Sequence, residues 1–385
     1  MAPGVARRAV ALQHCDTFVG RTMNWLYDHL RAVPRYKPVV LCDHLDNRKE
    51  FPELDAWVIP RERLGWRVWG RLNHNQLYPP YRNRLRRLHA RLLHSHFGYV
   101  AEGDRVLRSA LDCPWIIGFY GADVYALGQV QEWRDRYEPV FAQAAKVLAL
   151  GPAMATALEQ LGCPPEKIAV HALGVDTAAL PQRRRVLKRG QPLQILFAGT
   201  FREKKGVEYV IQAAHLLRAA GVPFTLHLVG DAMAADKPGD AETKAAVFQS
   251  IAQLGLEDAV VHHSWLPFQE LVDLALRCHV FVAPSVTAKD GDSEGTPFVV
   301  QQMMATNMPV VTTVHSDIPF LFGEHANLLV PERDARAIAD RLRAYYETPS
   351  RLAADGVKLG GQIRRAFDVR HHAAALADLY DRVVP

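Results

Sequence analysis

Two stretches carry residues whose types and order suit the handling of an anion. The first, Ile195 to Leu217, reads ILFAGTFREKKGVEYVIQAAHLL. A buried strand ends at Gly199, a basic loop with Arg202, Lys204 and Lys205 follows, and Gly206 opens a helix. Cations beside a helix N-terminus suit a diphosphate, because the dipole and the side chains stabilise the same negative charge. The second, Gly291 to Val311, reads GDSEGTPFVVQQMMATNMPVV. Thr296 is expected as the N-cap and Pro297 at the first helical position, with Asn307 and Pro309 closing the helix. Flexible Gly295 leaves the free N–H groups of that helix open to a ligand. Glu294, just outside, repels an anion, and its carboxylate suits sugar hydroxyls instead. A solvated charge run and a capped surface helix are the plain structural alternatives. Recurrence of an anion-ready junction within one domain weighs against them.

The elements that must position these loops alternate along the whole chain. Short β-branched runs separated by helical stretches occur at Arg8 to Gln13, Pro38 to Asp43, Ala56 to Pro60, Leu92 to Phe97, Pro114 to Gly121, Lys146 to Gly151 and Ile168 to Gly174. Such alternation is the pattern of a parallel sheet covered by helices. Asp176 to Pro192 interrupts it with prolines and a basic run, and reads as a linker. The alternation resumes at Gln194 to Gly199, Phe224 to Gly230, Ala259 to Trp265, Val280 to Ser285, Val310 to Thr313 and Asn327 to Pro331. The expected architecture is α/β, with two doubly wound Rossmann-like domains. Ligands of such sheets bind at the carboxyl ends of the strands, and the cleft between two such domains is the expected site.

The 385 residues suffice for two cores, and the near-even split of apolar and polar residues is that of a folded protein. No apolar run is long enough to span a bilayer, and the amino-terminal apolar segment is too short for a signal peptide. Five scattered cysteines, an odd number without a C-x-x-C pair, argue against a disulfide framework or zinc site. A cytoplasmic protein is expected, peripheral at the inner membrane face if it contacts lipid. Its net charge of +5 is unevenly spread: between Arg61 and Arg108 lie eleven arginines against three acids, interleaved with Trp66, Trp69, Tyr78 and Tyr81. That asymmetry points to an anionic partner. No nucleic-acid module is present, and an amphipathic membrane-contact segment is favoured narrowly over a solvated helix face.

The order Gly199 to Gly206, VGD (Val229 to Asp231), FVAPS (Phe281 to Ser285), EGTPFVVQQMMATNMPVV and HSDIPFL (His315 to Leu321) resembles the C-terminal domain of retaining GT-B glycosyltransferases with an E-x7-E motif. The N-terminal half is similar too, through HSHFG (His94 to Gly98), GFYGADV (Gly118 to Val124) and ALGPAMATALEQLGCPPEKIAVHALGVD (Ala149 to Asp176). The resemblance covers nearly the whole chain in order, with a flavour of family 4-like, colanic-acid or exopolysaccharide enzymes. It implies a GT-B fold with an acceptor-side domain at 1–180, a linker at 181–192, a nucleotide-sugar domain at 193–365, and a last helix, 366–385, crossing back to the first domain. The implied reaction moves a sugar from a nucleotide-diphosphate donor, a UDP-sugar among them, to the hydroxyl of a glycan or lipid-linked saccharide. No cofactor or metal is implied.

Carried over by position, the resemblance puts the first motif Glu on Glu294, against the donor sugar, and the second, for the ribose, on Gln302. The diphosphate lysine falls on Lys205. The diphosphate arginine falls on Thr200, a departure, with Arg202 and Lys204 the nearby substitutes. Gly199, Gly230, Asp231, Gly295, Thr296, Pro297 and Phe298 complete the donor side. In the first domain the family histidine falls on Tyr120, followed by Gly121 and Asp123. The glycine loop falls on Asp16 to Thr22, with Gly20 at close approach. The catalytic set implied is therefore Glu294, Lys205, Tyr120 and Asp123. Asp290-Gly-Asp292 imitates a metal-binding D-x-D, and His94/His96 and His262/His263 imitate ligand pairs. The resemblance implies protein cations and a helix dipole in place of a metal at the former, and neither histidine pair has the i, i+4 spacing or accompanying acids of a metal site. A GT-B nucleotide-sugar epimerase and a sugar-nucleotide-binding protein without turnover are the rival readings.

Overall fold

A strand covered by helices on both faces of its sheet must be apolar throughout, which is why these runs carry so few charges. In the computed structural model, which describes residues 8–20, 24–59, 68–69, 77–233 and 238–385, they form two all-parallel sheets. Two compact units result, one of Met1–Gly174 with Val369–Pro385, the other of Val175–Asp368.

The first unit holds β1 (Ala9–Phe18), β2 (Tyr36–Leu45), β3 (Asp55–Val58), β4 (Leu92–His96), β5 (Trp115–Gly118), β6 (Lys146–Ala149) and β7 (Ile168–Val170), in the order β3-β2-β1-β4-β5-β6-β7. β4 and β5, at its middle, are buried at every residue. The closing helix Val369–Val383 lays Ala373, Leu376, Ala377 and Tyr380 onto the core formed by Leu92, Ile116 and Leu148.

In the second unit β8 (Leu193–Ala198), β9 (Phe224–Val229), β10 (Val260–His263), β11 (Val280–Ala283) and β12 (Val310–Thr312) run in the order β10-β9-β8-β11-β12. Chain direction across this sheet reverses between β8 and β11. The loops leaving those two strands therefore open a crevice at their carboxyl ends, the topological switch point where doubly wound sheets hold ligands.

Three expectations need correction. Asn327 to Pro331 is not a strand: a 3-10 turn occupies Gly323–Leu328, and only a single bridge joins Thr313 to Val330. Its apolar residues are buried and meet the sheet edge through that bridge without extending it. Residues 181–192 do not hang free as a linker. Leu187 enters the second core, Arg185 Nη2 donates to Thr306 Oγ1 at 2.8 Å, and the Arg183 N–H donates to Thr306 O at 3.0 Å. Thr296 is no N-cap, since the helix Phe298–Ala305 starts one residue later. Pro297, with ψ 117°, occupies the cap position and offers no side-chain acceptor. The helix does end as expected, with Asn307 in the left-handed region at φ 59°.

Arg21 and Thr22 of the glycine loop, and Trp66 with the four arginines between residues 61 and 71, lie outside the described residues.

Candidate functional site

At the second switch point the loop after β8 turns sharply so that its lysines face the loop after β11. The turn depends on Gly206, held at φ 65°, where a Cβ would sit 2.0 Å from the Pro284 carbonyl oxygen. Gly230 is equally constrained: at φ 135° its Cβ would lie 1.9 Å from Gly199 O. Gly199 itself would tolerate a Cβ, with Lys205 Cδ 3.7 Å away. This close backbone packing fixes the floor beneath the basic loop.

Six charged side chains interlock on that floor. Lys205 Nζ lies 2.9 Å and Lys204 Nζ 3.5 Å from Glu294 Oε1. Lys204 also donates to Asp292 Oδ1 at 3.0 Å and to Ser293 O at 3.3 Å. Arg202 Nη2 reaches Asp292 Oδ2 at 3.2 Å, and its Nε reaches Asp240 Oδ1 at 3.3 Å. Three cations thus face three carboxylates, each of the latter at most 7% exposed. Burial pushes the Glu294 carboxyl up, but the Lys204 and Lys205 ammoniums overcome it and hold the group down to about 2. Burial favours neutral Lys204, and Glu294 and Asp292 outweigh it, so its pKa is raised. Glu294 is therefore ionised and both of its neighbours are cationic.

A second line of contacts fixes the Glu294 backbone. Its N–H donates to His315 Nε2 at 3.1 Å, which places the ring proton on Nδ1, and that proton is donated to Glu332 Oε1 at 2.6 Å. Next along the chain, the Thr296 hydroxyl is buried and makes no hydrogen bond among the described residues. It stands at the amino end of Phe298–Ala305 with Gly295 and Pro297, also buried. Thr200 is buried at the loop base and Gln302 on the helix, while Phe298 is half-buried. Asp231 is engaged elsewhere: Lys244 Nζ lies 2.6 Å from its Oδ1, and Ser264 Oγ donates to Oδ2 at 3.0 Å.

Neighbouring Gln301 shows the opposite economy. It is fully buried, and neither its amide oxygen nor its nitrogen finds a partner among the described residues. An unmet buried polar group costs about 1–3 kcal/mol. Gln301→Leu should consequently raise unfolding stability by about 1–2 kcal/mol in a urea titration. A loss of stability would show that the amide has a bonded role.

The sequence-derived residues of the first unit sit in their own network. Asp123 is a clamp: its Oδ1 accepts from the N–H of Tyr120 at 3.0 Å and of Gly121 at 2.8 Å, and its Oδ2 accepts from Gly98 at 3.0 Å. Burial raises its pKa against the pull of these donors. Tyr120 donates to His96 Nδ1 at 2.6 Å, and His96 Nε2 donates to Gln13 Oε1 at 3.0 Å. Its ring packs on Trp25 and Phe97 at centroid distances of 4.7 and 4.8 Å. Gly20 follows β1, at the carboxyl edge of that sheet.

Sequence reasoning missed Asp240, Asp292 as a cation partner, His315 and Glu332. The D-x-D spacing drew attention to Asp292 for the wrong chemistry, since it binds Lys204 and Arg202. His315 stood inside a quoted motif without a role, and Asp240 carried no local signal.

Two parallel doubly wound units, with buried carboxylates and cations at the second switch point, define a GT-B architecture. The fold matches HepE of Anabaena, solved with UDP and glucose, at TM-score 0.78 and 18% identity, covering 97% of this chain and all of that one. Sucrose-phosphate synthase of Thermosynechococcus elongatus matches at TM-score 0.76 and 16% identity, covering 97% and 99%. In sequence, residues 19–179 match the model of Glycosyltransferase Family 4, and residues 180–356 that of Glycosyl transferases group 1. The amylovoran biosynthesis glycosyltransferase AmsK of Erwinia amylovora is 34% identical over 75% of this chain and 69% of its own. WcaL of Salmonella typhimurium, named for colanic acid biosynthesis, is 35% identical over 59% of this chain and 54% of its own. The chain spans just over half the length of the WcaL relatives it matches, of which that of Escherichia coli is covered to 57%. The protein belongs to the group 1, family 4-type glycosyltransferases.

Proposed function

We propose that the protein is a retaining glycosyltransferase that moves a sugar from a nucleotide-diphosphate donor, UDP-linked as in the HepE structures, to an acceptor hydroxyl. The acceptor proposed is a glycan or lipid-linked saccharide of exopolysaccharide synthesis, the process for which AmsK and WcaL are named. The observation that carries the reading is Glu294, ionised and buried between two lysines at the second switch point. A carboxylate held there accepts hydrogen bonds from sugar hydroxyls, while the lysines and the amino end of Phe298–Ala305 attract the adjoining diphosphate.

In this mechanism the bond between the anomeric carbon and the donor phosphate oxygen breaks as the acceptor oxygen bonds to the same face. The departing diphosphate takes the acceptor proton. Lys205, Lys204 and Arg202 stabilise the charge that develops on it. Arg202 is assigned the part of the arginine that Thr200 replaces, although it must first yield its bonds to Asp292 or Asp240. Asp123 positions the turn bearing Tyr120. Peripheral membrane contact belongs to the proposal as well, supported by the arginine excess of the first unit. The protein's own cations supply the electrostatic work, so turnover should survive a chelator.

A panel of nucleotide sugars tests this reading, with product detection and anomeric assignment. Transfer with retention supports it, isomerised donor indicates an epimerase, and thermal stabilisation without product indicates a binding protein. Gln302→Glu should be tolerated. An amide and a carboxylate facing ribose differ by about 1 kcal/mol, so the donor KM should change by roughly tenfold or less with kcat retained. Complete inactivation would show that position 302 serves something other than ribose.

A further inference from the structure

Seven arginines lie between residues 82 and 108, and none forms an ion pair with an Asp or Glu side chain among the described residues; Arg91 Nη2 donates to Pro385 O at 2.6 Å. Unlike the cations of the second unit, the other six have no carboxylate partner among the described residues. Asp104, one of two acids in the interval, is consumed by His14 at 2.6 Å. Arg84 stacks on Trp57, its guanidinium 4.0 Å from the ring centroid. Beside them a groove of about 620 Å³ opens between the end of the helix Pro79–Arg86 and the end of Gly98–Ala110, lined by Arg86, His89, Arg108, Ser109 and Asp112 among others. That volume falls in the range of about 300–1,000 Å³ usual for small-ligand sites.

The geometry of its arginines is set from within. Arg86 Nε donates to Ala110 O at 3.2 Å and Arg108 Nη1 to Leu111 O at 2.9 Å. Each guanidinium is anchored by one edge and keeps further N–H donors unused, since neither makes another bond among the described residues. A planar fork fixed on one side is suited to grip a phosphate on the other. Asp112 is the single acid lining the groove.

The groove's place in the fold separates it from the donor and acceptor chemistry. Its residues run into β4 at Leu92 and β5 at Trp115, so they cap the amino ends of those strands. Doubly wound sheets hold their substrates at the opposite, carboxyl edge, where Phe97 and Tyr120 to Asp123 lie. We propose that this groove is an accessory phosphate-binding site, taking either a free phosphorylated molecule or the phosphate of a lipid headgroup.

The test uses the full chain at low salt, with two probes. Inorganic pyrophosphate is titrated calorimetrically with UDP present in excess, and flotation is measured with phosphatidylcholine vesicles with and without phosphatidylglycerol. Wild type should bind at least one probe, more weakly as salt rises. Arg86→Gln combined with Ser109→Glu should weaken that binding by about tenfold or more. Binding of pyrophosphate alone identifies a free ligand, and flotation alone identifies the headgroup. If the double variant does not fold, Ala90→Glu puts a repelling charge in the same groove without touching the arginine bonds. Failure of wild type to bind either probe, or equal binding by wild type and folded variant, overturns the proposal. Sugar transfer should be unchanged in the variant, and its absence from wild type would strike the proposed activity and leave the groove unaffected.

Discussion

Glu294→Ala is expected to lower kcat/KM for transfer by about 100- to 1,000-fold, the usual effect of deleting one preorganised electrostatic group. Two losses combine. The sugar loses its carboxylate acceptor, and Lys205 loses the partner 2.9 Å away that fixes its ammonium. Lys204 is less affected, since Asp292 and Ser293 O still hold it. Removing one member of a buried ion pair also costs stability, about 3–5 kcal/mol for a fully buried charge. Here the cost should fall at or below the lower end, because water can reach Lys205. Glu294→Gln separates the two effects by keeping shape and removing charge. The measurement is kcat/KM for both variants alongside their melting temperatures. A folded Glu294→Gln protein with near-normal turnover would remove Glu294 from the site.

That residue was legible in the sequence because its surroundings are local. A glycine, a proline and a helix start lie within four positions of it, and the basic loop is equally compact. The central strands were legible for a related reason: a strand buried on both faces declares itself by composition, as β4, β5 and β11 do. Asn327 to Pro331 shows the limit, because an apolar run that meets a sheet edge through a single bridge has the same composition without forming a strand. Asp292 and Asp240, the other carboxylates that restrain the cations, were not legible in that role. Lys204 and Asp292 are 88 residues apart and meet only because β8 and β11 are neighbours. Charge balance at the site is a product of topology, and sequence spacing does not encode it. A fully paired cluster must give up internal bonds for a diphosphate, a cost that the motif by itself conceals.

Acid should unfold the first unit before the second. On β4 the first unit buries His94 and His96, their rings 4.2 Å apart, and with them His29 and His171, whose Nε2 atoms are 3.2 Å apart. Among the described residues, the groups bonded to the four rings offer no anion to the cluster. Tyr120 and Tyr380 donate hydroxyl hydrogens to His96 and His94, Gln13 accepts from His96, and His372 adds a further ring. Asp104, the nearby carboxylate, is taken by His14. Burial, then repulsion from neighbouring rings, lowers all four, His29 and His96 to about 3 and the other two well below the ordinary value. In the unfolded chain each titrates near 6.5. Below that pH the unfolded state binds more protons, so stability is complete above about 6.5 and declines as pH falls toward 3. At pH 4.5, His29 and His96 alone would each cost on the order of 3 kcal/mol, together a large part of the roughly 5–15 kcal/mol that holds a domain folded. The second unit faces a lower window. Glu294 stabilises it above the ordinary carboxyl value of 4.5, and that contribution is lost only as pH falls toward 2. Six of the seven tryptophans precede residue 175, so tryptophan fluorescence follows the first unit, while circular dichroism follows both. Fluorescence should change between pH 6 and 4, in advance of the main loss of helix signal. His29→Leu should move the fluorescence midpoint to lower pH, because the leucine carries no proton-binding site into the unfolded state. Coincident transitions, or a midpoint indifferent to that substitution, would mean that the buried histidines do not set the acid limit of this unit.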